Sequence, residues 1–130
     1  MSDLIDLSAE EVISRLRLAP HPEGGHYRET WRSASQDGVR AAGSAIYYLL
    51  ARGERSHWHR IDASEAWHHY AGAPLRLGIA AAESDSDDVQ VVRLGTALSK
   101  GEEPQAVVPP NYWQVCNLDE LILISVSDIF

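Results

Sequence analysis

Between Gly53 and Gly72 the chain reads GERSHWHRIDASEAWHHYAG, a stretch that holds four of its six histidines. His57 and His59 are two apart, Glu65 follows six later, and His68 and His69 come soon after. In a strand, residues two apart point to the same face. The spacing therefore aims two imidazoles into one space, and Glu65 can return from a neighbouring strand to meet them. Two His and a carboxylate converging on one cavity suit a divalent metal with open positions, non-haem iron above all. The same groups suit metal-free chemistry. An imidazole titrates near neutrality, so His57, His59 and His69 are candidate general bases. His69 lies four after Glu65 and keeps its strand parity.

Other side chains would complete such a site. Tyr27, Tyr48, Tyr70 and Tyr112 are candidate acids. Arg28, Arg55 and Arg60 can take a phosphate or carboxylate in a bidentate way. Trp67 shares the parity of Glu65 and His69, so it is expected to line the cavity and stack on a ligand. Gln114 offers a neutral oxygen. Glu23, in PHPEGG, adds a carboxylate if that segment caps the cavity. Trp58 sits between the two His and is expected to face away from them, and Trp113 is expected to face away from Gln114.

These residues need a frame. Ser8 and Glu11 form an S-x-x-E capping box, with Leu7 placed to staple onto Val12. Val12, Ile13 and Leu16 recur at helical spacing, so a helix is expected over about residues 8–18. Pro20 and Pro22 stop it. Gly24-Gly25 marks a turn or bulge. HYRETWR then alternates, with Tyr27, Glu29 and Trp31 on one face and His26, Arg28, Thr30 and Arg32 on the other. Further short strands are expected in GSAIYYLLARGE, SHWHRI, EAWHHYAG, PLRLGIAA, VQVVRLG, QAVVPP, YWQVCNL and ELILISVSDIF. ESDSDD, residues 83–88, reads as a solvated acidic turn. One helix followed by eight or nine short strands is the signature of an all-β sandwich or barrel. A single domain over residues 1–130 is expected, its barrel starting near residue 25.

The chain has 130 residues, enough for one core. It is 45% apolar and 23% charged, an ordinary globular balance. Eleven basic against nineteen acidic residues leave a net charge of −8. That sign argues against a nucleic-acid partner and against an anionic membrane surface. The lone cysteine, Cys116, permits no intrachain disulfide and points to a reducing, cytoplasmic setting. In WQVCNL it reads as buried filler rather than a nucleophile. The opening MSDLIDLSAEE lacks a signal-peptide pattern, and the runs AIYYLLA and LILISV are too short to cross a bilayer.

Taken together, Gly53, His57, His59, Glu65 and Gly72 resemble the first motif of the cupin superfamily, with a His-to-Glu spacer slightly longer than usual. PPNYWQ, from Pro109 to Gln114, is similar to the second motif, Pro-x-Gly-x-x-His. Asn111 stands for its Gly and Gln114 for its His. PHPEGG, YRETWR, SHWHR, WHHYAGAPL and PQAVVP look like one bacterial and fungal cupin subfamily long catalogued as a domain of unknown function. The likeness runs from about Leu18 to Leu118. It implies a double-stranded β-helix, or jelly-roll barrel, and commonly a homodimer. It implies a metal set of His57, His59, Glu65 and Gln114 for iron, manganese, nickel or zinc if a metal is held. It also implies, from metal-free members, an isomerase or epimerase acting on a sugar-like ligand through His57, His59, Glu65 and His69. Arg28, Trp67, Gln114 and Glu23 would then contact the ligand. A dioxygenase-like enzyme and a non-catalytic sensor are the alternatives. Members continue past Ser127 into a further strand, so with Phe130 as the last residue a truncated or replaced strand is expected.

Overall fold

The computed structural model describes residues 7–51, 53–81, 89–117 and 122–129, with backbone alone at residues 117 and 122–129. The acidic stretch 83–88 and Phe130 lie outside the described residues. No helix among them is long and apolar enough to cross a membrane.

The chain starts with α1, Ala9–Leu16. The capping box forms: Glu11 N–H donates to Ser8 Oγ at 3.2 Å, and Ser8 N–H donates to Glu11 Oε1 at 3.3 Å. The helix ends earlier than residue 18 because Arg17 adopts a left-handed conformation, with φ of 56°. That bend lets the Leu18 N–H reach back to the Ile13 carbonyl at 2.9 Å, which satisfies a terminal acceptor.

Nine strands follow among the described residues: β1 (Ala19–Pro20), β2 (His26–Arg32), β3 (Gly43–Leu50), β4 (Ser64–Gly72), β5 (Leu75–Ala80), β6 (Gln90–Leu94), β7 (Gln105–Val108), β8 (Trp113–Asn117) and β9 (Ile122–Ile129). They form a six-stranded sheet, β1-β2-β3-β9-β4-β7, and a three-stranded sheet, β6-β5-β8. Every paired neighbour is antiparallel. Tyr48, Leu50, Trp67 and Val108 from the large sheet meet Leu75, Leu77, Ile79, Leu94 and Cys116 from the small one in a single core. This is an all-β jelly roll. On the outer face of the large sheet, Val12 and Leu18 pack on Leu49, so α1 covers part of that surface. The last strand is no edge: it pairs along β3 and along β4, in the middle of the large sheet.

One expected strand is missing. SHWHRI is an irregular crossing segment rather than a strand. Its successive amides bond to different elements: Ser56 N–H to the Cys116 carbonyl, His57 N–H to the Glu23 carbonyl, and His59 N–H to the Gln114 carbonyl. A continuous ladder cannot form when donors are shared between β8 and the turn before β2. Residues two apart therefore do not share a face here.

Candidate functional site

The site begins with the turn that joins β1 to β2. His21 N–H donates to the Gly25 carbonyl at 2.8 Å, and Gly24 N–H donates to the His21 carbonyl at 3.0 Å. Gly24 and Gly25 both have positive φ, 110° and 77°, a conformation that glycine adopts without penalty. Their missing side chains matter as well. A Cβ on Gly24 would sit 2.5 Å from the Arg55 carbonyl oxygen, and one on Gly25 would sit 2.7 Å from that of Leu49. The turn thus lies flat against β3 and the crossing segment. The Tyr48 hydroxyl pins it by donating to the Gly24 carbonyl at 2.5 Å. His21 is held edge-on against Tyr27 and Tyr48, with ring centroids 4.7 and 5.6 Å away.

Between this turn, the crossing segment and the inner face of the large sheet lies a pocket of about 40 Å³. That is room for about three water-sized groups. Its walls are His21, Glu23, Ile46, Tyr48, Ser56, His59, Glu65 and Trp67.

Main-chain bonds fix both imidazoles. Glu23 N–H donates to His21 Nδ1 at 2.9 Å, so that nitrogen carries a lone pair and neutral His21 holds its proton on Nε2. Burial lowers the His21 pKa, the nearby His59 lowers it further, and Glu23 pulls the other way, so the neutral ring is favoured. His59 has the opposite arrangement. Its Nδ1 lies 2.8 Å from the His57 carbonyl, which can only accept, so Nδ1 carries the proton. Neutral His59 is left with a lone pair on Nε2. One pocket therefore holds an imidazole that donates and an imidazole that accepts.

The hydroxyl and thiol nearby are less reactive. Tyr48 has its proton committed to Gly24, and burial raises its pKa well above the usual phenol range. Cys116 is buried, and its thiol is pushed up to about 11, burial being the largest cause. The Ser56 hydroxyl accepts from the Cys116 N–H at 2.9 Å and from its thiol at 3.2 Å.

The residues singled out from the sequence divide into three groups. Glu23, Tyr48, His59, Glu65 and Trp67 line the pocket. Gln114 lies behind Trp67, fully buried, and accepts from the indole N–H at 3.1 Å. His57, His69 and Arg28 are not among the pocket walls. The irregular backbone leaves His57 exposed. His69 Nε2 is turned to the Ala73 carbonyl at 3.1 Å, close to the bulge that interrupts β4 between His69 and Ala71. Arg28 pairs in register with Tyr47 and lies over its ring at 5.8 Å, on the outer face of the large sheet. Arg60 stacks on Trp113, 5.0 Å from the ring centre. Tyr70 is exposed on the outer face against Tyr47, and Tyr112 packs on the core. Trp58 is half exposed. Sequence reasoning missed His21, Ser56 and Ile46 as wall residues. The PHPEGG turn, already singled out for Glu23, carried the signal for His21.

The donors assigned to a divalent iron, manganese, nickel or zinc ion do not come together. No cluster of three His, Cys, Asp or Glu side chains suited to a metal occurs among the described residues. His57 is outside the pocket, and Gln114 directs its one ligating oxygen at Trp67. The residues present do not fit the ion.

Comparison with known proteins places this geometry in context. The family described as "Cupin superfamily (DUF985)" matches residues 10–128. A structural-genomics crystal structure of a protein from Shewanella oneidensis is 35% identical, with a TM-score of 0.85 over 95% of this chain and 78% of that one. A hypothetical protein from Leishmania major is 31% identical, with a TM-score of 0.81 over 95% of this chain and 81% of that one. An RmlC-like cupin from Shewanella frigidimarina, 10% identical with a TM-score of 0.57 over 86% of this chain and 81% of that one, shares the fold alone. No curated protein matches the chain.

Proposed function

Since this chain belongs to the cupin superfamily, in the family described as DUF985, we propose that it binds a small polar, sugar-like molecule and acts on it as a metal-independent isomerase or epimerase. The observation that carries this reading is the complementary pair of imidazoles, His21 donating from Nε2 and His59 accepting at Nε2. Proton abstraction beside a carbonyl needs both. His59 takes the proton from the carbon next to the carbonyl, and the C–H electron pair forms the double bond of an enediol. The charge that develops on the carbonyl oxygen is met by the His21 N–H. A neutral imidazole donor suits this step because it stabilises the oxygen without competing for the proton. Return of the proton to the former carbonyl carbon, with the proton of the adjacent hydroxyl passing to the former carbonyl oxygen, isomerises the molecule, and return to the other face of the same carbon epimerises it.

Glu65, buried beside His59 in the pocket wall, orients the ligand hydroxyls, and Trp67 gives a flat surface for the carbon skeleton. A reducing, cytoplasmic setting suits the buried, unreactive Cys116. A second copy of the chain is the proposed protein partner.

The test is deuterium uptake from heavy water into small aldoses and ketoses, followed by NMR. The native protein is expected to label the carbon next to the carbonyl. His59→Asn should slow that labelling by about 10²-fold or more, the usual worth of a positioned general base. Sugar binding without any labelling would leave a binding or sensor domain instead of an enzyme.

A further inference from the structure

The outer face of the small sheet carries side chains that the pocket does not use. Leu75, Leu77, Ile79, Leu94 and Cys116 point into the core, so the residues between them face out. Arg76 and Arg93 are register partners there, side by side on β5 and β6. Like charges directly opposite one another in an antiparallel pair are destabilising. The chain has nineteen acidic residues against eleven basic ones, yet none of the outward positions of β5, β6 and β8 is acidic. Arg93 reaches the buried Glu102 at 3.5 Å, and Arg76 has no ion pair among the described residues. Further along β5 the face is apolar. A Cβ on Gly78 would stand 3.7 Å from Trp58 Cη2 and 3.2 Å from Val115 Cγ1, so the Trp58 ring lies on the sheet at Gly78. Trp58 is 47% exposed, and beside it Val91, the register partner of Gly78, is 51% exposed. At the far end Trp113, the register partner of Ala80, is 36% exposed and carries the Arg60 guanidinium 5.0 Å from its ring centre.

We propose that this face docks an extended acidic peptide segment of a partner protein, of the pattern acidic-x-apolar-x-acidic. Arg76 and Ala80 are four residues apart on β5, so the two basic ends of the face are about 13 Å apart. In an extended peptide, residues i, i+2 and i+4 share one face and span the same distance. One carboxylate meets Arg76 and Arg93, and the other meets Arg60 on Trp113. The apolar side chain between them lies on Trp58 and Val91. A guanidinium takes a carboxylate through two parallel hydrogen bonds, and exposed Trp and Arg are the types that anchor interfaces. An acidic occupant relieves the repulsion between Arg76 and Arg93. A second copy of this face would add to it. A nucleic acid needs a wider basic footprint than a chain of net charge −8 offers. None of these residues lines the pocket, so docking here is independent of the isomerase reading.

The probe is the synthetic peptide acetyl-Gly-Ser-Glu-Ser-Leu-Ser-Glu-Ser-Gly-amide. It is titrated into isotope-labelled native protein while the indole signals are followed by NMR. Trp58 and Trp113 are expected to move. Trp31, on the large sheet, and Trp67, in the core, are expected to stay. Gln at both acidic positions of the peptide, or Ser in place of its Leu, should each weaken binding by about ten-fold or more. The double variant Arg76→Gln, Arg93→Gln should do the same from the protein side. Rising salt should weaken binding, since the ion pairs are exposed. Arg76→Gln alone should be at least as stable to urea as the native chain, because it removes one of two like charges. A loss of stability would make Arg76 a structural residue and overturn the proposal. So would a peptide that leaves Trp58 and Trp113 unmoved, or equal binding by the Gln peptide or by the double variant. A uridine oligonucleotide that moves both indoles at lower concentration than the peptide would give the face to nucleic acid. A native oligomer that dissociates in the double variant would give it to a second copy. Either result overturns the proposal.

Discussion

A histidine's chemistry is decided by what holds its other nitrogen, and here the main chain does that at both rings. Glu23 N–H fixes one tautomer at His21, and the His57 carbonyl fixes the other at His59. Neither arrangement needs a side-chain partner, so both are set by the folding of the turn and the crossing segment. The lowered pKa of His21, caused first by burial and then by His59, links it to stability. In the unfolded chain an imidazole titrates near 6.5. Its folded value lies below that, so the unfolded state binds more protons as the pH drops. The stability contributed by neutral His21 is complete above about 6.5 and is lost as the pH falls through the folded value. His21→Asn keeps an acceptor for the Glu23 N–H and cannot titrate. Melting temperatures measured from neutral to acidic pH should fall more steeply for the native chain than for this variant. Parallel curves would show that His21 is not depressed by its surroundings.

Two irregular segments, the PHPEGG turn and the crossing segment, close the pocket over β3 and β4. The PHPEGG turn can lie against β3 only because Gly25 has no side chain. A Cβ there would meet the Leu49 carbonyl at 2.7 Å and the Tyr48 hydroxyl at 2.8 Å, at a φ of 77°. Gly25→Ala should therefore destabilise the protein by about 1–3 kcal/mol, the cost of a left-handed residue plus displacement of the turn. Urea unfolding measures it, and a change within error of zero would mean that the turn is free to shift. This turn also marks where sequence reasoning stops. The regular parts were legible: the capping box, the parity of Glu65 and Trp67 in β4, and the inward Leu75, Leu77 and Ile79 of β5 all follow from local periodicity. The same periodicity misled at His57, because the crossing segment takes its bonds from two elements and loses the two-residue repeat. The alternation within β2 holds from His26 to Glu29, but a bulge between Glu29 and Trp31 carries Trp31 to the face of Arg28, and the pattern could not say which face looks inward. The structure turns Tyr27 toward the core and Arg28 toward Tyr47. His21 went unnoticed because the PHPEGG pattern marks a turn, while its place at the pocket depends on a long-range contact between Gly24 and Arg55.

At the scale of the whole molecule, α1 covers only part of the outer face of the large sheet among the described residues. Val12 and Leu18 shield Leu49 and Tyr47, while Trp31, Tyr70 and Val107 are 56%, 53% and 55% exposed. Trp, Tyr and Arg are the residue types that dominate interface energetics, and Arg28, stacked on Tyr47, stands among these aromatic groups. His26 and Arg28 pair with Leu49 and Tyr47, so they stand on the same face. The edge beside it points the same way. β1 pairs only with His26 and Tyr27, so β2 from Arg28 to Arg32 has no strand on that side among the described residues. An uncovered edge is a template for another chain. We therefore expect a homodimer built on β2 and the adjoining outer face. Sedimentation at micromolar concentration should give twice the chain mass of 14.4 kDa. Trp31→Glu, which places a charge among the exposed aromatic groups, should weaken the dimer by about ten-fold or more. Because Trp31 lies outside the pocket, the variant should keep the native deuterium uptake. A native chain that sediments as a monomer would leave this face without the partner assigned to it.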